Sequence, residues 1–255
     1  MSDWPSILGF ARQRRGETLA MVTLVDRQGA SYRMPGARLL AAADGSFLGS
    51  LSGGCLEESI AAIARQVIAS GRPRIEWIDT RPHFGCPGKL KMLIESVPGH
   101  GLLDEIDARV SRRESFRIAT AHGTASDGTR IDDQAMTCDG RFVENVRPTP
   151  RLVAIGGTSD LEPLFQIARI ISWDCHRVVR DFRQAEGATA VAGESIHCIP
   201  PADLTKKFPP DMATAVLVMS HHLATDLAYL KSALPENYGY LGLLGSRRRR
   251  ETLLG

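Results

Sequence analysis

The second half of the chain alternates between strand-like and helix-like segments, and this alternation limits the fold more than any other feature. Apolar runs at 151–155 and 214–220 are each followed by a helical pattern, over about 160–171 and 226–233. Further strands are expected at 176–180 and 238–246. Strands that are apolar throughout and separated by helices are typical of a parallel sheet covered on both faces. The sequence therefore predicts a Rossmann-like, doubly wound parallel sheet, which is an α/β fold.

The first half predicts a mixed α/β domain instead. A short helix at 6–15 and a buried strand at 18–26 precede a hairpin over 36–50, which turns at Asp44-Gly45. The helix that follows has Leu56, Ile60 and Val67 on its apolar face, and we expect Glu57 and Glu58 on the solvent-exposed face. More strands are predicted at 74–79, 89–96, 116–122 and 141–146, with a helix at 102–113.

A proline-rich joint separates the two halves. Pro148-Thr149-Pro150 comes directly before the apolar strand of the second half, and prolines in such a setting are typical of a linker. We therefore predict an N-terminal domain over 1–147 and a Rossmann-like domain over 148–255.

Composition narrows the class of protein. The chain has 31 Lys and Arg against 29 Asp and Glu, a net charge of +2, which gives no general attraction to nucleic acid or to a membrane surface. No apolar run approaches the roughly 20 residues that span a bilayer. The five cysteines are an odd number without a CxxC pair, which fits neither a disulfide framework nor a zinc ribbon. We expect a cytoplasmic protein that binds neither nucleic acid nor membrane.

The segment GSLSGGCLE (49–57) places two glycines and a cysteine where a helix begins. Free N–H groups and the helix dipole make such a position an anion site, so Ser52, Gly53 and Gly54 are expected to present N–H groups to a ligand. The same field lowers the pKa of a thiol, which favours a reactive Cys55. Alternatively, the glycines only turn the chain and Cys55 packs under the helix.

A second cysteine, Cys86, lies in another glycine- and proline-containing loop, HFGCPGKL (83–90). For a single cysteine, burial as a small apolar side chain is the ordinary interpretation. Two loop cysteines flanked by glycine weigh against this interpretation more than one would.

The turn VAIGGTSD (153–160) falls where a Rossmann sheet holds a dinucleotide. Gly156 and Gly157 are present, but Thr158 replaces the second glycine of the usual fingerprint and Asp160 adds a negative charge at the helix start. Both features argue against an NAD(P) cofactor.

Two other segments end strands of the second half. His221 follows the strand at 214–220 and is a candidate for ligand contact or acid–base chemistry, with helix capping or a surface position as the alternative. Gly245, Ser246 and Arg247 begin the run GSRRRR, which could grip a phosphate or simply start a solvated helix.

Several of these motifs occur in one order that resembles the XdhC/CoxI family. They are GARLLAAADGSFLGSLSGGCLEESI (36–60), FGCPGKL (84–90), RFVENVRPTPRLVAIGG (141–157), VLVMSHHLATD (216–226) and YGYLGLLGSRRRR (238–250). The resemblance covers most of the chain. It departs from the family in Pro87, where a glycine is usual, and in ending at Gly255, short of the usual C-terminus.

The resemblance implies a cofactor chaperone rather than a catalyst. Such a protein binds molybdenum cofactor (molybdopterin), holds it while a cysteine desulfurase helps to supply its sulfur, and delivers it to a molybdenum hydroxylase of the xanthine dehydrogenase type. It also implies a homodimer. Two alternatives remain open: an NAD(P)-dependent oxidoreductase that uses the second half, and an accessory module of the hydroxylase that binds no cofactor.

The resemblance also implies roles for residues. Cys55 would contact the molybdenum or sulfur side of the cofactor, which makes it the candidate metal contact, and Cys86 would assist. The remaining candidates for cofactor binding are Ser52, Gly53, Gly54, Gly156, Gly157, His221, Gly245, Ser246 and Arg247.

Overall fold

The computed structural model describes residues 4–54, 56–81, 88–99, 101–123, 128–181 and 194–254. The chain divides into two compact units, Met1–Arg147 and Pro148–Gly255. Within the described residues, no helix is both long enough and apolar enough to cross a membrane.

A five-stranded antiparallel sheet of order β3-β2-β1-β5-β4 forms the larger part of the first unit. The strands are β1 (Leu19–Gly29), β2 (Arg38–Ala41), β3 (Phe47–Gly49), β4 (Arg74–Asp79) and β5 (Gly88–Val97). Helix α1 (Trp4–Gln13) precedes β1, and helix α2 (Glu57–Ser70) lies between β3 and β4 in the chain. The predicted hairpin is confirmed, because β2 pairs with β3 and Leu40 faces Leu48. Side chains of β1 alternate between two cores: Ala20 and Val22 pack with α2, and Leu19 and Met21 pack with α1.

A three-stranded antiparallel sheet of order β7-β6-β8 completes the described part of this unit. It consists of β6 (Phe116–Ala121), β7 (Gly128–Ile131) and β8 (Arg141–Val146), preceded by α3 (Leu102–Ser111). The sequence did not predict β7. Its four residues, GTRI, carry one large apolar side chain, and pairing with β6 rather than local pattern makes them a strand.

The second unit contains a five-stranded sheet in which every strand pair is parallel, as predicted. The strands are β9 (Arg151–Ile155), β10 (Asp174–Val179), β11 (Ser195–Cys198), β12 (Thr214–Val218) and β13 (Tyr240–Leu243), in the order β11-β10-β9-β12-β13. The helices are α4 (Leu161–Ile170), α5 (Leu204–Lys207), α6 (Leu223–Ala233) and α7 (Arg247–Leu254), with a 3₁₀ turn at Pro201–Asp203.

The central strand β9 shows why this sheet is covered on both faces. Its odd-numbered residues, Val153 and Ile155, pack in the core that includes α6, and its even-numbered residues, Leu152 and Ala154, pack in the core that includes α4. A strand that is buried on both faces needs an unbroken apolar run, and RLVAI supplies it. The chain order reverses between β9 and β12, and ligands bind at such a reversal in open α/β sheets.

Candidate functional site

The glycine-rich loop before α2 folds around the carboxylate of Glu57. This side chain belongs to the first residue of the helix and is only 4% exposed. Its two oxygens accept hydrogen bonds of 2.8–3.1 Å from the N–H groups of Leu51, Ser52, Gly54 and Leu56 and from the hydroxyls of Ser50 and Ser52. The anion at the start of α2 is therefore part of the protein itself.

These hydrogen bonds also set the charge of Glu57. Burial alone would raise its pKa, but the N–H groups of Ser52 and Leu51 and the Ser52 hydroxyl outweigh burial and lower the pKa to about 2. The carboxylate is ionised at neutral pH and satisfies donors that the helix start would otherwise leave unpaired.

Two expectations from the sequence are wrong at this point. Glu57 is buried instead of lying on the solvent-exposed face of α2, whereas Glu58 is exposed as predicted. The N–H groups of Ser52 and Gly54 donate to Glu57, and that of Gly53 donates to the Ser50 hydroxyl at 3.2 Å. These three groups therefore do not point to an external ligand. Cys55 and Cys86 lie outside the described residues.

In the second unit, the loops after β9 and β12 meet at the carboxyl edge of the sheet. Gly156 follows β9, and a Cβ atom at this position would lie 2.7 Å from the carbonyl oxygen of Met219. The Met219 N–H also donates to Ile155 at 2.9 Å. The glycine is thus needed for close strand–loop packing, whatever else it contacts. The adjacent Thr158 has a buried hydroxyl with no hydrogen-bond partner among the described residues.

The two adjacent histidines after β12 have different roles. His221 adopts a left-handed backbone conformation, with φ of 60°, and its Nε2 lies 3.4 Å from the Asp160 carboxylate. Both side chains are about half exposed, so this contact adds little stability. His222 caps α6, because its Nδ1 accepts a hydrogen bond from the Thr225 N–H at 3.3 Å. This cap starts α6 at Leu223, earlier than the predicted 226.

A buried acid, Asp226 of α6, connects the end of β12 with α7. It is fully buried and accepts hydrogen bonds from the Ser220 N–H and hydroxyl and, at 2.6 Å, from Nη2 of Arg249. The sequence placed Asp226 at the start of a helix but gave no sign of its partners. The only signal in the sequence was the HHxxxD spacing of residues 221–226. It places an acid about one turn into a helix that begins at the end of a strand.

The arginines that follow Ser246 lie in two environments: Arg247 faces solvent, and Arg249 joins the cluster around Asp226. Arg247 is 85% exposed and pairs with Glu251 one turn later, at 3.0 Å. Arg249 instead turns inward, and its N–H is capped by the Ser246 hydroxyl at 3.3 Å. Gly245 leaves space for it, since a Cβ at that position would lie 2.6 Å from Cδ of Arg249. The structure thus brings Gly245, Ser246 and Arg249 together and leaves Arg247 on the surface.

The described residues contain no group of three or more His, Cys, Asp or Glu side chains that could hold a metal ion. The described cysteines are Cys138, Cys175 and Cys198, all with free thiols. Burial, and then the nearby charge of Asp174, raises the pKa of Cys175 to about 11, which makes it an unreactive core residue.

The fold and these sites define a two-unit α/β protein in which an antiparallel sheet with a glycine–cysteine loop is followed by a Rossmann-like domain. Residues 12–79 match the XdhC and CoxI family, and residues 152–255 match the XdhC Rossmann domain. The chain belongs to the XdhC and CoxI family. This confirms the resemblance and the fold that it implied.

Two curated proteins are similar over most of the chain. The molybdenum cofactor insertion chaperone PaoD of Escherichia coli (strain K12) is 26% identical, over 96% of this chain and 73% of that protein. A protein of Bacillus subtilis (strain 168), described as a probable xanthine dehydrogenase subunit, is 25% identical, over 93% of this chain and 82% of that protein.

A crystal structure described as a xanthine dehydrogenase from Bacillus halodurans has the same fold. Its TM-score is 0.73 at 24% identity, and the match covers all of this chain and 85% of that one.

Proposed function

We propose that this chain binds molybdenum cofactor, assists its sulfuration and inserts it into a molybdenum hydroxylase of the xanthine dehydrogenase type. The observation that carries the proposal is the similarity to PaoD, a molybdenum cofactor insertion chaperone, along nearly the whole chain. The similarity to a probable xanthine dehydrogenase subunit supports the same class of target. In this proposal a cysteine desulfurase supplies the sulfur, and the chain acts as a homodimer in the cytoplasm.

The glycine-rich loop contributes Cys55 and a fixed backbone to this function. Glu57 holds the N–H groups of Ser52 and Gly54, so the loop already has its shape before any ligand binds. Such preorganisation lowers the entropic cost of binding. Cys55 contacts the molybdenum or sulfur side of the cofactor, and Cys86 assists. The N–H groups of Ser52 and Gly54 hold the loop in shape and do not bind an anion from the cofactor.

The second unit contributes polar groups at the carboxyl edge of its sheet. Gly156, Gly157, His221, Gly245 and Ser246 belong to the loops at this edge, where open α/β sheets bind ligands. Arg247 was the expected phosphate contact. It is 85% exposed and its pair with Glu251 lies at the surface, so it stays accessible to a ligand, whereas Arg249 is already paired with the buried Asp226.

The test measures what the target hydroxylase receives. A xanthine dehydrogenase-type hydroxylase is purified from cells that contain the wild-type chain, the Cys55→Ser variant or no copy, and its molybdenum and cyanide-labile sulfur are measured. The proposal expects both quantities to be high with the wild type and low in the other two samples.

Different results would remove different parts of the proposal. High molybdenum with low labile sulfur in the Cys55→Ser sample would limit Cys55 to sulfuration. Equal values in all three samples would contradict the function. Complex formation with the hydroxylase but no bound pterin would favour an accessory module.

A further inference from the structure

The segment that joins β1 to β2, residues 30–37, carries an unusually exposed aromatic ring. Tyr32 is 75% exposed, and Met34 in the same segment is 61% exposed. Hydrogen bonds hold the backbone around them: the Gly36 N–H donates to Leu24 at 2.8 Å, and the Ala37 N–H donates to Met34 at 3.1 Å. Two large apolar side chains are therefore presented to solvent from a turn whose backbone is held by hydrogen bonds.

The ring of Tyr32 lies against Gly53 of the glycine-rich loop. A Cβ atom at Gly53 would come within 3.1–3.4 Å of three ring atoms, and Gly53 itself has φ of 88°. A side chain there would be strained and would push the ring away. Gly53 stands two positions before Cys55 in the sequence, so the ring lies beside the loop that carries this cysteine.

The other end of the same segment lies against Gly88, the first residue of β5. Gly88 pairs with Gly29 at the end of β1, and a Cβ atom at Gly88 would lie 2.1 Å from the carbonyl oxygen of Ala30. Thr80 fixes this position, because its hydroxyl donates to the Gly88 carbonyl at 2.9 Å. Gly88 follows Cys86 by two positions in the sequence.

Residues 30–37 thus contact the described ends of both loops that carry the candidate cysteines. The loop before α2 contacts the segment at Tyr32, and Gly88 at the start of β5 contacts it at Ala30. Neither contact was visible in the sequence, because Tyr32 is more than 20 residues from Gly53 and Ala30 is more than 50 from Gly88. The paired strands β1, β2 and β5 bring them together.

We propose that Tyr32 is a ligand-contact residue whose ring stacks on a planar heteroaromatic ligand bound beside Gly53. The inference rests on the proposed function, in which that planar group is the pterin of the cofactor. Aromatic side chains bind flat heterocycles by stacking, and a ring that is 75% exposed has surface available for such a contact.

Free oxidised pterin, without phosphate or metal, is the probe for this inference. It is titrated into the full-length chain and followed by quenching of pterin fluorescence, for the wild type, Tyr32→Leu, Tyr32→Phe and Tyr240→Leu. The last variant is a matched control, because Tyr240 is also an exposed tyrosine, 59% accessible, but belongs to β13 of the second unit.

The inference predicts binding that is about tenfold weaker in Tyr32→Leu, near wild type in Tyr32→Phe and unchanged in Tyr240→Leu. Thermal unfolding of all four proteins is measured alongside, and because both side chains are exposed, similar midpoints are expected. Equal pterin binding by the wild type and Tyr32→Leu, or no pterin binding by the wild type, would overturn the inference.

The pterin content of the freshly purified proteins separates this inference from the function on which it rests. Suppose that the wild type and Tyr32→Leu carry equal amounts of pterin and bind free pterin equally well. This result refutes the role of Tyr32 and leaves the proposed function standing. A wild type that carries no pterin after purification from cofactor-producing cells refutes the function, and the role of Tyr32 with it.

Discussion

Replacing Glu57 by glutamine should destabilise the first unit by about 3 kcal/mol at neutral pH. The carboxylate has a pKa of about 2 instead of the ordinary 4.5. Each tenfold change in proton affinity corresponds to about 1.4 kcal/mol, so the folded loop stabilises the charged form by about 3 kcal/mol. Glutamine keeps the size of the side chain but turns an NH₂ group toward donors that now lack an acceptor.

The pH dependence of this effect has a definite sign. The pKa of Glu57 is lower in the folded than in the unfolded chain, so its stabilisation is complete above the unfolded value of 4.5 and is lost as the pH falls toward 2. The difference between wild type and Glu57→Gln should therefore shrink over this range. Other carboxylates titrate in both proteins and cancel in the difference.

Calorimetry of the full chain at several pH values measures this difference. A unit of 147 residues should lose about 10 °C from its unfolding midpoint at pH 7. Glu58→Gln is the matched control: Glu58 belongs to the same first turn of α2 but is exposed, so its replacement should change stability by less than about 0.5 kcal/mol. Equal effects of the two substitutions, or a Glu57→Gln effect that stays constant as the pH falls, would refute the reasoning.

Two further predictions concern the carboxyl edge of the second unit. Asp226→Asn should destabilise that unit by about 2 kcal/mol, because it removes the charge that neutralises Arg249; the value lies below that of a fully buried ion pair since Arg249 is 21% exposed. Denaturant unfolding measures this loss, with Asp160→Asn as the control. Because the pair of Asp160 with His221 is exposed, that substitution should change the free energy of unfolding by less than about 0.5 kcal/mol. Equal effects of the two substitutions would contradict the assignment. His221→Gly should stabilise the unit by about 0.5–1 kcal/mol, because glycine adopts the left-handed conformation without strain; the same experiment measures it, and a loss of stability would show that the side chain of His221 contributes more than its backbone costs.

The fold could be predicted because its signals are local. The run RLVAI needs both faces covered, and the Asp44-Gly45 turn fixes the hairpin, so neighbouring residues carried enough information in each case. β7 was missed because its four residues become a strand only by pairing with β6.

The site was less predictable because its contacts join distant parts of the chain. A helical wheel places Glu57 next to Glu58 on a polar face, and only the folding of the preceding loop back over α2 shows that Glu57 is buried. Nor could the sequence show which of four consecutive arginines turns inward, since Arg249 is selected by Asp226, 23 positions away. Tyr32 shows no local pattern at all.

The pterin content of the purified chain tests the central claim most directly. The protein is purified without oxygen from cells that make molybdenum cofactor, the sample is oxidised, and the fluorescent pterin is measured in the wild type and in Cys55→Ala. The account predicts nearly stoichiometric pterin in the wild type and much less in the variant. The absence of pterin from both samples would contradict cofactor binding, and equal amounts in both would contradict the role of Cys55.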